Sequence, residues 1–366
     1  MKAIYKPQKL TIVFYDLNLG GIQKKIIDIV NYLNQNYPQI KINLILQHKQ
    51  GIFINQIPKN IPIYTPKIHH KPDFIFFTIW LTRQFSKLKS NTILTFMDNS
   101  ANASIIASKL IFWQHPKIII GEDIFTSKQI SKESYPNIRL KLIKKFYPKA
   151  NKILVQTPVQ KKDLSEIIGK QFSSKIKVNP NWLPLEYSTK KPKRLKKIDI
   201  LFVGRFDPQK NLFEFLQIIT TIHTQNPKLN VCMVGNGPDL KIIKKEAKKL
   251  KLPINFIKST PLVKNFYNQS KIFLLTSNYE GFPLTLLEAI SCDCFPIVKN
   301  IREVSLFFNK YHSDIVYNHP NQATNLINIY LKSPSKVSKI VAYYQNKIFL
   351  QQQQNLTKYI NSILKV

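Results

Sequence analysis

Glu280 and Glu288 stand with seven residues between them, and a Gly281-Phe282-Pro283 turn follows the first. Pro283 suits the first position of a helix, where its missing N–H costs nothing. The amides of Leu284, Thr285 and Leu286 would then lie unpaired at a helix N-terminus, a ready site for a phosphate. Glu280 falls on the loop before that helix, and Glu288 more than a turn inside it. A ligand with an anionic centre and hydroxyls on both sides fits this geometry, and a nucleotide-sugar has that shape.

Three further runs carry chemistry. Residues 203–211 read Val-Gly-Arg-Phe-Asp-Pro-Gln-Lys-Asn. A strand ends at Gly204, cations follow at Arg205 and Lys210, Pro208 bends the loop, and Asn211 can cap a helix from Leu212. Two cations and a helix N-terminus at the end of a parallel strand make a diphosphate site. The plainer reading of Lys210 is a solvated loop charge. Gly235-Asn236-Gly237-Pro238 allows a tight turn at a strand end, near where a base or ribose would lie; alone it reads first as a structural turn. Leu19-Gly20-Gly21-Ile22 follows the first strand. Its amides could face the leaving phosphate or the acceptor from the opposite domain, or merely form a turn. For the Glu280/Glu288 pair, a solvated helix face and a hydrolase acid–nucleophile pair are the alternatives. The helix start and the upstream cations argue for a bound diphosphate instead of a water-filled cleft.

The elements that must hold these residues alternate. Leu10–Tyr15, Lys41–Gln47, Asn91–Met97, Lys117–Gly121 and Lys152–Gln156 read as strands. Helical spacing from Ile22, at 101–112 and from Thr157-Pro158 to Ile168 separates several of them. Lys-Lys-Pro-Lys-Arg-Leu-Lys-Lys at 190–197 breaks the pattern, and alternation restarts with strands at 198–203, 231–234 and 272–276. Alternating strands and helices predict parallel sheets covered on both faces, α/β in class. The expected layout is an N-terminal domain 1–189, a linker 190–197, a second domain 198–336, and a helical segment 337–366 that packs back on the first domain.

Composition bounds the partners. Fifty-five Lys and Arg against 20 acids give a net charge of +35, which should attract nucleic acid or anionic lipid. A Lys-, Ile- and Asn-rich chain is also what an AT-rich genome encodes, so part of the excess needs no partner. Three cysteines make no disulfide framework and fit a reducing compartment; Cys292 and Cys294 read as small buried hydrophobes. The apolar run Phe74–Leu81 is far shorter than the ~20 residues that span a bilayer. No secretory signal is read at the start, so the expectation is a soluble or peripheral protein.

The runs at 203–211, 234–238 and 280–289 resemble, in order and spacing, the donor-binding half of a retaining glycosyltransferase of family 4. That family has the GT-B fold: two Rossmann-like doubly wound domains facing a central cleft. Leu-Gly-Gly-Ile-Gln at 19–23 is similar to its Gly-Gly loop. Segments 96–107, 118–125 and 147–164 are similar to the acceptor side of members that extend lipid-linked oligosaccharides. The resemblance implies that Arg205 and Lys210 hold the donor diphosphate, that the amides after Pro283 cap it, that Glu288 binds ribose hydroxyls and that Glu280 contacts the transferred sugar. It implies no metal and no cofactor. It places acceptor handling at Asp98 and Glu122, each at a strand end. Asp293 departs from the family, standing where Gly is usual, and the 299–303 loop is short; both changes fall where they could alter the sugar pocket.

The expected function is transfer of a sugar from a UDP- or GDP-type donor to a glycan or lipid-linked acceptor in surface polysaccharide or lipopolysaccharide assembly. The expected location is the cytoplasm, peripheral on the inner face of the membrane, with Trp113, Tyr135 and Lys141–Lys149 near the anionic surface. A basic nucleic-acid-binding protein is the rival class, but no zinc-finger spacing, ribonucleoprotein motif or helix-turn-helix supports it. A degenerate transferase that binds donor without turnover is the third reading.

Overall fold

The computed structural model describes residues 9–18, 20–67, 74–131, 134–187 and 195–365. The chain forms two units, Met1–Asn181 with Asn355–Val366, and Trp182–Gln354.

The first unit is built on seven strands: β1 (Lys9–Phe14), β2 (Lys41–Leu46), β3 (Ile63–Tyr64), β4 (Thr92–Phe96), β5 (Lys117–Glu122), β6 (Lys152–Val155) and β7 (Ile176–Val178). They lie in the order β3-β2-β1-β4-β5-β6-β7, all parallel. Every residue of β4 is buried, which fits a central parallel strand with both faces covered. Helices Phe74–Leu88, Asp98–Lys109 and Pro136–Phe146 contribute to one core on one face of this sheet, through Phe77, Leu81, Phe85, Ala101, Ile105 and Ile143. The first of these helices escapes the sequence reading because it is apolar on both sides. Phe77, Leu81 and Phe85 point inward while Ile75 and Ile79 face out, so no helical period stands out. Helix Pro158–Ile168 starts as expected: Thr157 Oγ1 accepts from the Gln160 amide (3.2 Å), and the Gln160 side chain accepts from the Thr157 amide (3.0 Å), a reciprocal cap.

The second unit carries β8 (Ile198–Val203), β9 (Val231–Val234), β10 (Ile254–Ile257), β11 (Ser270–Leu275), β12 (Phe295–Lys299) and β13 (Val316–Tyr317). Their order is β10-β9-β8-β11-β12-β13, again all parallel. The chain proceeds outward from β8 through β9 to β10, then returns to β11 on the other side of β8. The order therefore reverses between β8 and β11, and in open α/β sheets ligands bind beyond the carboxyl ends of strands at such a reversal.

Two boundaries differ from those read in the sequence. The units divide after Asn181, not at 189, because Leu183 and Tyr187 are buried in the second core. Residues 190–194 of the basic linker lie outside the described residues. The last helix runs from Pro334 to Leu364, and its residues belong to both units. Tyr344 and Ile348 sit in the second core. From Asn355 onward the segment belongs to the first unit: Asn355 Nδ2 donates to the Asn181 carbonyl (2.9 Å) and Lys152 Nζ to that of Ser362 (2.9 Å). Among the described residues no helix is long and apolar enough to cross a membrane.

Candidate active site

In the second unit, two loops leave the carboxyl ends of the neighbouring strands β8 and β11. The β8 loop forms a short turn at Pro208–Lys210, with Asp207 Oδ1 accepting from the Gln209 amide (3.1 Å). Burial pushes the Asp207 carboxyl up, and the Lys210 and Arg205 charges oppose that rise. Backbone bonds tie the loops together: the Asn278 amide donates to the Gln209 carbonyl (2.8 Å), and Thr276 Oγ1 donates to that of Lys210 (2.8 Å). The two predicted residues Lys210 and Glu280 meet across this junction in a partly buried ion pair, Nζ to Oε1 2.5 Å. Ser277 Oγ donates to the same carboxylate oxygen (2.6 Å), and Gln209 Nε2 approaches the other (3.3 Å). Glu280 is thereby held in position. Arg205 lies close by in sequence but is 72% exposed, with Asp207 3.6 Å away, so its guanidinium projects into solvent.

The helix Leu284–Ser291 begins one residue later than expected. Pro283 takes extended dihedrals (φ −70°, ψ 124°) and sits before the helix, not in it. The Leu286 amide donates to the Pro283 carbonyl (3.1 Å), which removes one of the three open donors. Leu284 and Thr285 keep theirs directed out of the helix start. The Thr285 hydroxyl is buried there without a partner among the described residues. Phe282, on the same turn, packs edge-on against Phe307 at 5.3 Å between centroids. Glu288 is 2% exposed, and the phenols of Tyr187 and Tyr267 face it. Burial first, then the Glu288 charge, pushes both phenols up.

Asn211 does not cap its helix. It adopts a left-handed conformation (φ 49°), and its side-chain Nδ2 donates to Glu214 Oε2 at 2.7 Å. Glu214 also pairs with Lys299 (2.5 Å) and accepts from Tyr317 Oη (2.9 Å), a network the sequence reading missed. Nothing in the motif spacing marks Lys299 or Tyr317; only the strand order brings β12 and β13 alongside.

Gly235 and Gly237 serve loop packing. A Cβ on Gly235 would stand 1.9 Å from the Gly204 carbonyl oxygen, and one on Gly237 2.2 Å from that of Phe206. The β8 and β9 loops touch backbone to backbone, with the Phe206 amide donating to the Asn236 carbonyl (2.9 Å). Gly235→Ala is therefore expected to displace the Arg205–Lys210 loop and lower stability by about 1–3 kcal/mol. Thermal unfolding of the variant checks this; an unchanged midpoint would refute the packing role.

Asp293 explains its own departure from the resemblance. It has φ 62°, just past the end of the 284–291 helix, where glycine is favoured and Asp is tolerated. Gln345 Nε2 donates to its carboxylate (2.9 Å). The substitution changes a helix cap, not the Glu280 loop.

The remaining predicted residues belong to the first unit. Gly20 precedes helix Gly21–Asn36 in extended backbone. Asp16, which the sequence reading gave no role, organises that loop by accepting from the Asn18 amide (3.1 Å) and side chain (2.5 Å). Asp98 opens helix Asp98–Lys109 and is held by both arms of Arg139, at 2.7 and 2.6 Å. Glu122 ends β5, buried, and accepts from Tyr147 Oη at 2.7 Å. Burial pushes its carboxyl up to about 8; the Tyr147 hydrogen bond opposes the shift, and the charges of Asp98, Asp123 and Asp163 add to it. Asp123 pairs with the buried Lys25 (2.7 Å), whose ammonium lies 5.2 Å from the Tyr359 ring centroid. Asp98 and Glu122 thus share one buried polar cluster, and each already has a partner.

Two parallel Rossmann-type units, with a cation–carboxylate pair at the strand reversal of the second, have the architecture of GT-B glycosyltransferases. Anabaena HepE in complex with UDP and glucose superposes with TM-score 0.78 at 14% identity, over 97% of this chain and all of that one. WaaG, titled a glycosyltransferase involved in lipopolysaccharide biosynthesis, superposes with TM-score 0.73 at 13% identity, over 97% and 99%. Residues 185–347 match the model of the family "Glycosyl transferases group 1". That match lies within the second unit and spans less than half of the chain; the chain is a glycosyltransferase. A Campylobacter jejuni N-acetylgalactosaminyltransferase acting on a diphospho-undecaprenol-linked sugar is 25% identical over 78% of this chain and 79% of its own length. An uncharacterized glycosyltransferase of Haemophilus influenzae is 31% identical over 34% of this chain, and the match spans 37% of that protein.

Proposed function

We propose that the chain transfers a sugar, with retention as in family 4, from a UDP- or GDP-type donor to a glycan or lipid-linked acceptor in surface polysaccharide or lipopolysaccharide assembly. The observation that carries this reading is the Lys210–Glu280 pair bridging the β8 and β11 loops. Lys210 and the exposed Arg205 supply positive charge for the departing diphosphate. The open amides of Leu284 and Thr285, with the orphan Thr285 hydroxyl, supply donors to its oxygens. Glu280, oriented by Ser277 and Gln209, is placed to accept from sugar hydroxyls, and Glu288 from the ribose. With two cations at hand, transfer is proposed to run without a divalent metal, so activity should survive EDTA. Names of relatives support the acceptor class: the Campylobacter transferase acts on a polyprenyl-diphosphate-linked sugar, and a 29% identical Staphylococcus aureus relative is a capsular polysaccharide glycosyltransferase. The enzyme would work at the inner face of the cytoplasmic membrane.

Calorimetric titration with UDP tests the donor site. The wild type should bind, and Glu288→Ala should bind at least about tenfold more weakly, the loss expected for a charged hydrogen-bond partner. No affinity for UDP or GDP in the wild type would sink the reading. Binding without turnover on any nucleotide-sugar would leave a donor-binding protein that has lost transfer.

A further inference from the structure

Lys299, the last residue of β12, reaches two segments that carry the donor loops. Its ammonium lies 2.5 Å from Glu214 Oε2 and 3.4 Å from Asn278 Oδ1. The same Glu214 oxygen accepts from Asn211 Nδ2 (2.7 Å), and Glu214 Oε1 accepts from Tyr317 Oη (2.9 Å). Asn211 follows Lys210 directly, and Asn278 stands two residues before Glu280. One ammonium is therefore tied to the chain beside each member of the Lys210–Glu280 pair.

Both segments need a hold from outside. Asn211 sits in left-handed backbone (φ 49°), a conformation Asn tolerates but the chain does not prefer. Its bond to Glu214 fixes it across the first helical turn. Asn278 is exposed, and its own Nδ2 approaches the Pro208 carbonyl at 3.4 Å. Its amide donates to the Gln209 carbonyl (2.8 Å), so a shift at Asn278 passes straight to the turn that ends in Lys210.

Glu214 is well placed for this task. It lies in the first turn of helix Leu212–Gln225, where the helix dipole favours a carboxylate. It is 13% exposed and Lys299 24%, so water competes less for this pair than for a surface one. Tyr317 is buried, and burial first, then the Glu214 charge, pushes its phenol up. It therefore stays a proton donor to Glu214. An ion pair that served stability alone would need only Glu214. The reach from β12 to the β11 loop at Asn278 is what links the pair to the donor site.

We propose that Lys299 is a positioning residue for sugar transfer: by holding Glu214 and Asn278 together, it keeps the β8 and β11 loops in register so that Lys210 and Glu280 meet. The proposal rests on the donor-site reading of that pair and adds the support behind it. Lys299 touches no substrate in this role and acts through Asn211 and Asn278. A charge displaced by about 1 Å from a departing group can cost up to about 10²-fold in rate.

Two measurements on the full chain test this. The first is the coupling between Lys210 and Glu280 in stability. It comes from urea unfolding of Lys210→Met, Glu280→Gln and their combination, in the wild type and again with Lys299→Met. The coupling should fall by about half or more when Lys299 is replaced. If Lys299→Met alone does not fold, Lys299→Met with Glu214→Met, which leaves no orphaned charge, supplies the background. This readout needs no ligand, so it decides the proposal even where the chain binds neither UDP nor GDP, a result that sinks the donor reading by itself.

The second measurement is kinetic. Lys299→Met should lower kcat about tenfold and leave the donor KM within about threefold, the split expected when a transition-state contact is misplaced. Lys299→Arg keeps a cation with several donors and should recover most of kcat. Removing both charges with Lys299→Met and Glu214→Met should regain stability yet stay as slow as Lys299→Met, because Asn211 and Asn278 remain untied. The proposal is overturned if the coupling is unchanged, if Lys299→Met keeps kcat within about twofold of wild type, if Lys299→Arg is no faster than Lys299→Met, or if removing both charges restores kcat.

Discussion

Lys210→Ala should lower kcat/KM by about 10²–10³-fold, the usual effect of removing one preorganised charge from a leaving group. The structure adds a second consequence. Glu280 is buried and Lys210 is largely covered, so the variant leaves a carboxylate held by Ser277 and Gln209 with its cation gone. Breaking a buried pair from one side costs about 3–5 kcal/mol. The activity loss must therefore be separated from unfolding. A double variant, Lys210→Met with Glu280→Gln, removes both charges and should recover most of the stability while remaining inactive. Denaturant unfolding and steady-state kinetics on the same preparations check this. If Lys210→Ala keeps UDP affinity and kcat/KM within about threefold of wild type, a change under 0.7 kcal/mol, Lys210 is a structural ion-pair partner and the donor assignment fails.

The second large effect concerns Glu122 and pH. Its carboxyl is pushed up to about 8 in the folded chain, chiefly by burial, against an ordinary value of 4.5. Between those values the folded state holds a proton that the unfolded chain has released. The contribution is fully present below the unfolded value, and stability falls as pH rises through this window. A full proton is worth about 1.4 kcal/mol per pH unit, so the cumulative loss is of the order of 5 kcal/mol. Glu122→Gln keeps an acceptor for Tyr147 Oη and removes the titration. Its stability should fall less steeply than wild type from pH 5 to 8, and it should be the more stable chain at pH 8. Urea unfolding of both chains at several pH values measures the difference directly. Parallel profiles would show that Glu122 is ionised in the fold, and the buried-acid description would be wrong.

The donor loops were legible in the chain because they are local. Residues 203–211 and 280–289 each carry their chemistry within one strand end and one helix start, and turn glycines, prolines and paired charges mark such places at any distance from a partner. The acceptor-side pair was legible only as strand-end carboxylates. That Asp98 is spent on Arg139 and Glu122 on Tyr147 depends on a helix 14 or more residues downstream of β5, which spacing does not reveal. Glu288 likewise gained its neighbours from Tyr187, before the linker, and Tyr267, one strand earlier. The departure at Asp293 changed meaning once its dihedral was known: φ 62° assigns it to a helix cap.

By itself the sequence determined the alternation of strands and helices, the restart of that pattern near residue 198 and the residue types at the β8 and β11 loop ends. Periodicity and turn chemistry are properties of neighbours along the chain, and they survive without a fold. The tertiary structure alone decided that β11 returns to the side of β8, so that Lys210 and Glu280, seventy residues apart, close one ion pair. It also decided that Ile75, Phe112 and Ile138 stand in water. Strand order and burial are relations between distant segments, fixed by which apolar faces pack together, and no local window of sequence contains them.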